Sequence, residues 1–288
     1  MNNSIGAKRG VSIYSYSGLF GVTMQLEDCF KDIYDMGATG VEILANSHID
    51  SYPELSDEFL EKWHYLCDKY KVEPAEYGHW LDTRLYKDRG LTLDESLEML
   101  ERDFRIANKL GFHVLRTKLG VIDDYLNPVE NWREIIEAAL PLAEKYDVIM
   151  CPEIHLPTIL SDKMVSDYVE FIIKHNTRNF GLNIDMSVFQ NRFDLQTEVP
   201  YPNQRHSNPD ELIPLLPYVK CIHAKFNAMD DDFNEMTIPY PPVLEILKQN
   251  HWNGYLISEY EGANKDVPGY VSHELRKHHV MMKRILGY

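Results

Sequence analysis

The chain has 288 residues, 44% hydrophobic and 26% charged, which suits one large water-soluble domain. A formal net charge of −16 with no run of basic residues argues against binding a phosphate backbone, whose affinity rests on Lys and Arg. Four scattered cysteines without a CxxC pair, no secretory signal and no apolar run of roughly 18 residues lead us to expect a reduced cytoplasmic protein, off the membrane.

Taken in chain order, the β-prone runs are VSIYSY (11–16), GVEIL (40–44), VEPAEYG (72–78), HVLRTKL (113–119), DVIMCPEI (147–154), FGLNID (180–185), VKCIHAKF (219–226) and GYLISEY (254–260). Helical patterns lie between them, among them LEDCFKDIYDMG and DEFLEKWHYLCDKYK. The clearest is LDESLEMLERDFRIANKLG, with Leu97, Leu100, Phe104, Ala107 and Leu110 at helical spacing, Asp94 as expected N-cap and Gly111 as stop. Eight βα units without a linker predict a single (β/α)8 TIM barrel over 1–288. A doubly wound dinucleotide fold would carry GxGxxG after its first strand, and GLFG (18–21) does not fit it. Residues 186–212 form the longest segment without helical period, which suggests a long loop over the barrel mouth.

The last four strand candidates end in residues of metal-ligating type: Glu153, Asp185, His223 and Glu259. Any one of them taken alone reads as a helix cap or an ion-pair partner. Together, three carboxylates and an imidazole without a thiolate suit one Mn²⁺ or Mg²⁺ ion, with Co²⁺ in the same class. Residues two apart on a strand share a face, so His155, Lys225 and Glu261 would project beside Glu153, His223 and Glu259. Other candidates for the mouth are His79 after the third strand, Arg116 and Lys118 along the fourth, and Tyr16 at the top of the first.

These strand ends resemble the xylose-isomerase-like TIM barrels, the sugar phosphate isomerase/epimerase superfamily, over the full length. More narrowly, PEIH, HAKF and GYLISEYEG resemble the α subunit of bacterial C-glycoside deglycosidases. The resemblance implies one divalent ion, Mn²⁺ first, held by Glu153, Asp185, His223 and Glu259, a 3-oxo C-glycoside as substrate, and a small β subunit in an oligomer. The expected chemistry is proton abstraction next to a sugar carbonyl by His155, followed by loss of the aglycone, with Lys225 on the enolate oxygen and Glu261 on a sugar hydroxyl. An isomerase or epimerase with Glu153 and Glu259 as bases on opposite faces is the alternative, then a ketocyclitol dehydratase. A barrel that binds a sugar or a partner without turnover is the non-enzymatic one. Three positions depart from the ketose 3-epimerase pattern, where Ile159, Val188 and Met229 stand in place of Glu, His and Arg.

Overall fold

Apolar β-branched runs, each followed by an amphipathic helix, fold here as parallel strands within a helical shell. The computed structural model describes residues 6–81, 89–119, 126–193 and 205–288. The strands are β1 (Lys8–Ser12), β2 (Gly40–Leu44), β3 (Glu73–Leu81), β4 (Val114–Leu119), β5 (Ile149–Cys151), β6 (Glu153–Ile154), β7 (Leu182–Asp185), β8 (Val219–Phe226) and β9 (Tyr255–Tyr260). The helices are α1 (Leu26–Asp35), the single turn α2 (Ala45–His48), α3 (Asp57–Tyr70), α4 (Leu93–Leu110), α5 (Trp132–Lys145), α6 (Lys163–His175), α7 (Tyr240–Gln249) and α8 (Tyr270–Leu286).

All strands pair in parallel, in the order β5-β4-β3-β2-β1-β9-β8-β7-β6. β5 and β6 are one extended segment broken at Pro152, which has no N–H to give. Met150 N donates to Asn179 O at 2.9 Å, Gly181 N to Met150 O at 2.9 Å and Asn183 N to Pro152 O at 3.2 Å. Those bonds close the sheet, and the fold is the expected (β/α)8 TIM barrel.

Three local expectations are corrected. The first strand is Lys8–Ser12, and Ile13–Tyr16 winds into a 3-10 turn. Helix α4 is capped by Thr92, not Asp94: Thr92 Oγ1 accepts from Glu95 N at 3.2 Å and Glu95 Oε2 from Thr92 N at 2.8 Å. In the sixth unit a 3-10 helix, Pro209–Leu215, stands where the others have an α-helix, with prolines at both Pro209 and Pro214. Residues 194–204, in the expected long loop, lie outside the described residues. No helix among the described residues is long and apolar enough to cross a membrane.

Outside the barrel a buried polar chain ties α8 to β1 and β9. Arg9 Nη1 donates to His279 Nδ1 at 2.8 Å, which leaves His279 Nε2 to donate to Ser258 Oγ at 3.1 Å. Ser258 then donates to His278 Nδ1 at 2.9 Å, while Phe226 stacks on the His278 ring at 4.0 Å. Both rings are therefore neutral. Burial, and then Arg9, push His278 down to about 3. Below pH ~6.5 the unfolded chain takes up a proton that the native His278 refuses, so stability falls as pH drops toward its folded pKa. At pH 5 this costs roughly 2 kcal/mol relative to pH 7. Calorimetry is expected to show His278→Phe losing that much less stability between the two values; an equal loss in both proteins would assign the acid sensitivity elsewhere.

Candidate metal centre

At the carboxyl ends of β6, β7, β8 and β9, alternation brings Glu153, Asp185, His223 and Glu259 to the inside of the barrel. Asp185 pairs directly with His223, while Glu153 pairs with Asn183 and Glu259 with Lys225, each two residues off, the stagger that tilted barrel strands need to bring such ends together. One donor atom from each lies within 4.8 Å of the others. His223 Nδ1 stands 2.9 Å from Glu153 Oε1, 3.5 Å from Glu259 Oε2 and 4.0 Å from Asp185 Oδ2. Asp185 Oδ1 accepts from Ser187 N at 2.6 Å, so its second oxygen faces the cluster.

The electrostatics of this group are strained. Burial raises Asp185 to about 6, with Glu259 and Glu153 adding to the rise and Lys225 opposing it. Burial acts the same way on Glu259, but His223 outweighs it and holds that carboxyl at about 2. Glu153 is also held well below the usual range against burial, by Arg116, His155 and His223. His223 is raised well above the ordinary value: burial opposes its charge, and Glu42, Glu76, Glu259 and Glu153 overcome that.

These residues fit a cation. Asp185 Oδ2 is buried and makes no hydrogen bond among the described residues, with Lys225 Nζ 3.8 Å away. A native structure leaves such an atom orphaned only for a reason, and an ion is one. Three carboxylates and one imidazole are the donor set of a hard-to-borderline divalent ion.

The mouth above the cluster is a cavity of about 200 Å³ lined by Tyr14, Leu44, Arg116, Glu153, His155, Lys225, Glu259 and Glu261. His155 Nδ1 lies 2.6 Å from Leu156 O and donates to it, and its Nε2 lies 4.0 Å from Glu153 Oε2. Lys225 Nζ lies 3.8 Å from Asp185 Oδ2 and 3.9 Å from Glu261 Oε1. Arg116 crosses from β4 to Glu153 Oε2 at 3.0 Å. Gly78 leaves room for that crossing, because a Cβ there would sit 2.4 Å from Leu44 Cδ2 and 3.2 Å from Arg116 Nη2. A larger groove of about 510 Å³ runs along the outer side of α4, but it holds none of these groups.

Two expected mouth residues are turned away. Tyr16 is fully buried and donates to Asp32 Oδ2 on α1 at 2.7 Å, because the 3-10 turn rotates it into the helix layer. Tyr14 takes the place at the mouth. His79 shares the outer face of β3 with Tyr77, and its Nδ1 lies 3.1 Å from Asp103 Oδ2 on α4. Lys118 lies on β4, its side chain outside the described residues. Missed altogether were Glu42 and Glu76, fully buried inside the barrel, 3.3 Å and 3.0 Å from His223 Nε2. A carboxylate inside the apolar run GVEIL, and another in VEPAEYG, were the available signals.

A family model for the xylose isomerase-like TIM barrel matches residues 30–282. The chain belongs to this family. Within it, a C-glycoside deglycosidase alpha subunit from Arthrobacter globiformis is 25% identical, over 98% of this chain and 93% of that protein. A 3'-dehydrocarminate deglycosidase alpha subunit from a Microbacterium species is 24% identical, over 96% of this chain and 95% of its own length. Among solved structures, a D-psicose 3-epimerase determined with D-fructose superposes with a TM-score of 0.68, covering 98% of this chain and all 100% of its own. At 15% identity that likeness concerns the fold. The relatives of this xylose isomerase-like barrel are enzymes, and its mouth is lined by titratable groups.

Proposed function

We propose that this chain is the catalytic α subunit of a divalent-metal-dependent lyase that cleaves the carbon–carbon bond of 3-oxo C-glycosides. The observation that carries the reading is the pairing of Glu153 and His155 on one strand end, with His155 Nε2 beside the four-donor cluster. The two relatives' names supply the substrate class.

Glu153, Asp185, His223 and Glu259 would hold the ion, with Mn²⁺ favoured by the donor set. When bound, the ion supplies Lewis-acid stabilisation of the charge that develops on the sugar carbonyl, worth several kcal/mol. His155 Nε2 takes the proton from C2, and the electron pair moves into the C2–C3 bond and onto the C3 oxygen. Lys225, at the rim of the cavity, donates a hydrogen bond to that oxygen. As the C3 carbonyl reforms, C1 and C2 become doubly bonded and the bond from C1 to the aryl carbon breaks. The aryl carbon takes up one proton, matching the one removed, and no oxidant is consumed. Glu261, whose Oε2 accepts from Lys265 Nζ at 2.8 Å, is placed to accept from a sugar hydroxyl.

The test uses Mn²⁺-loaded protein, co-expressed with any small subunit encoded beside it, in deuterated water. A 3-oxo C-glucosyl flavone is expected to yield free aglycone and an unsaturated keto sugar by mass spectrometry, and chelation to stop it. Deuterated, rearranged ketohexose with an untouched C-glycoside would replace the lyase by the epimerase reading, with Glu153 and Glu259 as the bases.

A further inference from the structure

Below the four-donor cluster, the barrel interior holds two carboxylates that take no part in the reaction above. Glu42 and Glu76 are fully buried, at a depth where such barrels usually pack branched apolar side chains. Burying two acids is costly unless each is paired. Both face the far side of one imidazole: His223 Nε2 lies 3.0 Å from Glu76 Oε2 and 3.3 Å from Glu42 Oε1.

Glu76 is itself held in place. Asn183 Nδ2 donates to its Oε1 at 3.0 Å, which leaves Oε2 turned to the imidazole. A ring nitrogen that donates a proton to a carboxylate commits the other nitrogen to the ligand side, and fixes the ring's orientation as well. Here the other nitrogen is Nδ1, on the side of Glu153, Asp185 and Glu259. Glu42 extends the same layer, because Arg116 Nε lies 3.4 Å from its Oε1 while Arg116 Nη1 holds Glu153 Oε2 at 3.0 Å. Glu76 thus orients His223 directly, while Arg116, which holds Glu153, lies beside Glu42 in the same layer.

We propose that Glu76, clamped by Asn183, is the positioning residue that makes His223 an Nδ1 donor to the metal. The inference rests on the metal reading of the cluster.

Mn²⁺ titration followed by electron paramagnetic resonance, with pulsed detection of nitrogen coupling, tests it. Wild type is expected to bind one Mn²⁺ per chain with an imidazole nitrogen coupled to it. Glu76→Leu is expected to weaken binding roughly 10–100-fold and to alter or lose that coupling, with the circular dichroism unchanged. Glu76→Gln keeps an acceptor oxygen and is expected to restore most of the affinity. Unchanged affinity and coupling in Glu76→Leu would overturn the positioning role and leave the metal site standing. A second Mn²⁺ per chain, lost in Glu42→Gln, would overturn it differently, by making the lower pair ligands themselves. A wild type that binds no Mn²⁺ defeats the metal reading first. If Glu76→Leu does not fold, Asn183→Ala, which unclamps Glu76, is expected to weaken Mn²⁺ several-fold; no change there also overturns the role.

Discussion

Saturating Mn²⁺ is expected to raise the melting temperature of the metal-free protein by roughly 10 °C, and Asp185→Asn to abolish that rise. A ligand that binds only the native state stabilises it by about 4 kcal/mol at a thousand times its dissociation constant. In a domain somewhat smaller than this one, each kcal/mol moves the midpoint by about 2–4 °C. The site has reason to respond strongly. Glu42, Glu76, Asp185 and Glu259 are buried and Glu153 half-buried around Arg116, Lys225 and a single imidazole, so negative charge is in excess.

Asp185 bears much of that strain, since burial and its acidic neighbours raise it to about 6. The sign follows: in the metal-free state its native form binds a proton more readily than the unfolded chain. Its contribution therefore falls as pH rises through that range, by about 3 kcal/mol at neutral pH. Asparagine keeps the Oδ1 acceptor for Ser187 N, bonded at 2.6 Å in the native protein, and removes the charge. Metal-free Asp185→Asn is thus expected to melt no lower than metal-free wild type, while gaining nothing from Mn²⁺. Calorimetry at pH 7.5, with metal and with chelator, separates the two effects. A full Mn²⁺ shift in the variant would remove Asp185 from the ligand set.

The barrel was legible from the alternation of short strands with long helical stripes, and the clustering of Glu153, Asp185, His223 and Glu259 from polar residues at the ends of the last four strands. What escaped was parity. Alternation says which residues share a face but not which face is inside. His79 follows Tyr77 outward to Asp103, while Glu76 points in. Tyr16 looked like a strand residue until the backbone turned at Ile13, and a 3-10 turn of four residues leaves no period to detect. Register shifts at Val41/Glu42 and Leu182/Asn183 displace pairing where the interior carboxylate layer begins. Glu42 and Glu76 escaped for a simpler reason. They sit within strands instead of at their ends, where a search for a mouth does not look.

His155→Ala is expected to reduce turnover roughly 10²–10⁴-fold while Mn²⁺ content and melting temperature stay at wild-type values. The separation is physical. His155 stands at the rim of the cavity, its ring tethered to Leu156 O, and it contributes no atom to the four-donor cluster. Glu153→Gln, by contrast, removes a charged donor and the 3.0 Å ion pair of the buried Arg116, so it is expected to lose metal and activity together. A 3-oxo sugar without an aryl group on C1 isolates the first step, because it can exchange its C2 hydrogen for deuterium but cannot eliminate. Wild type is expected to exchange it and His155→Ala to lose that exchange in proportion to turnover. Exchange at the wild-type rate in His155→Ala would move the base to a carboxylate. Glu153 is poorly suited to that part, since Arg116 holds it ionised well below the usual range, and a base so weak takes a carbon-bound proton slowly. The imidazole is the better placed group: it lines the cavity, with Nε2 4.0 Å from Glu153 Oε2, beside the residues that would hold the ion.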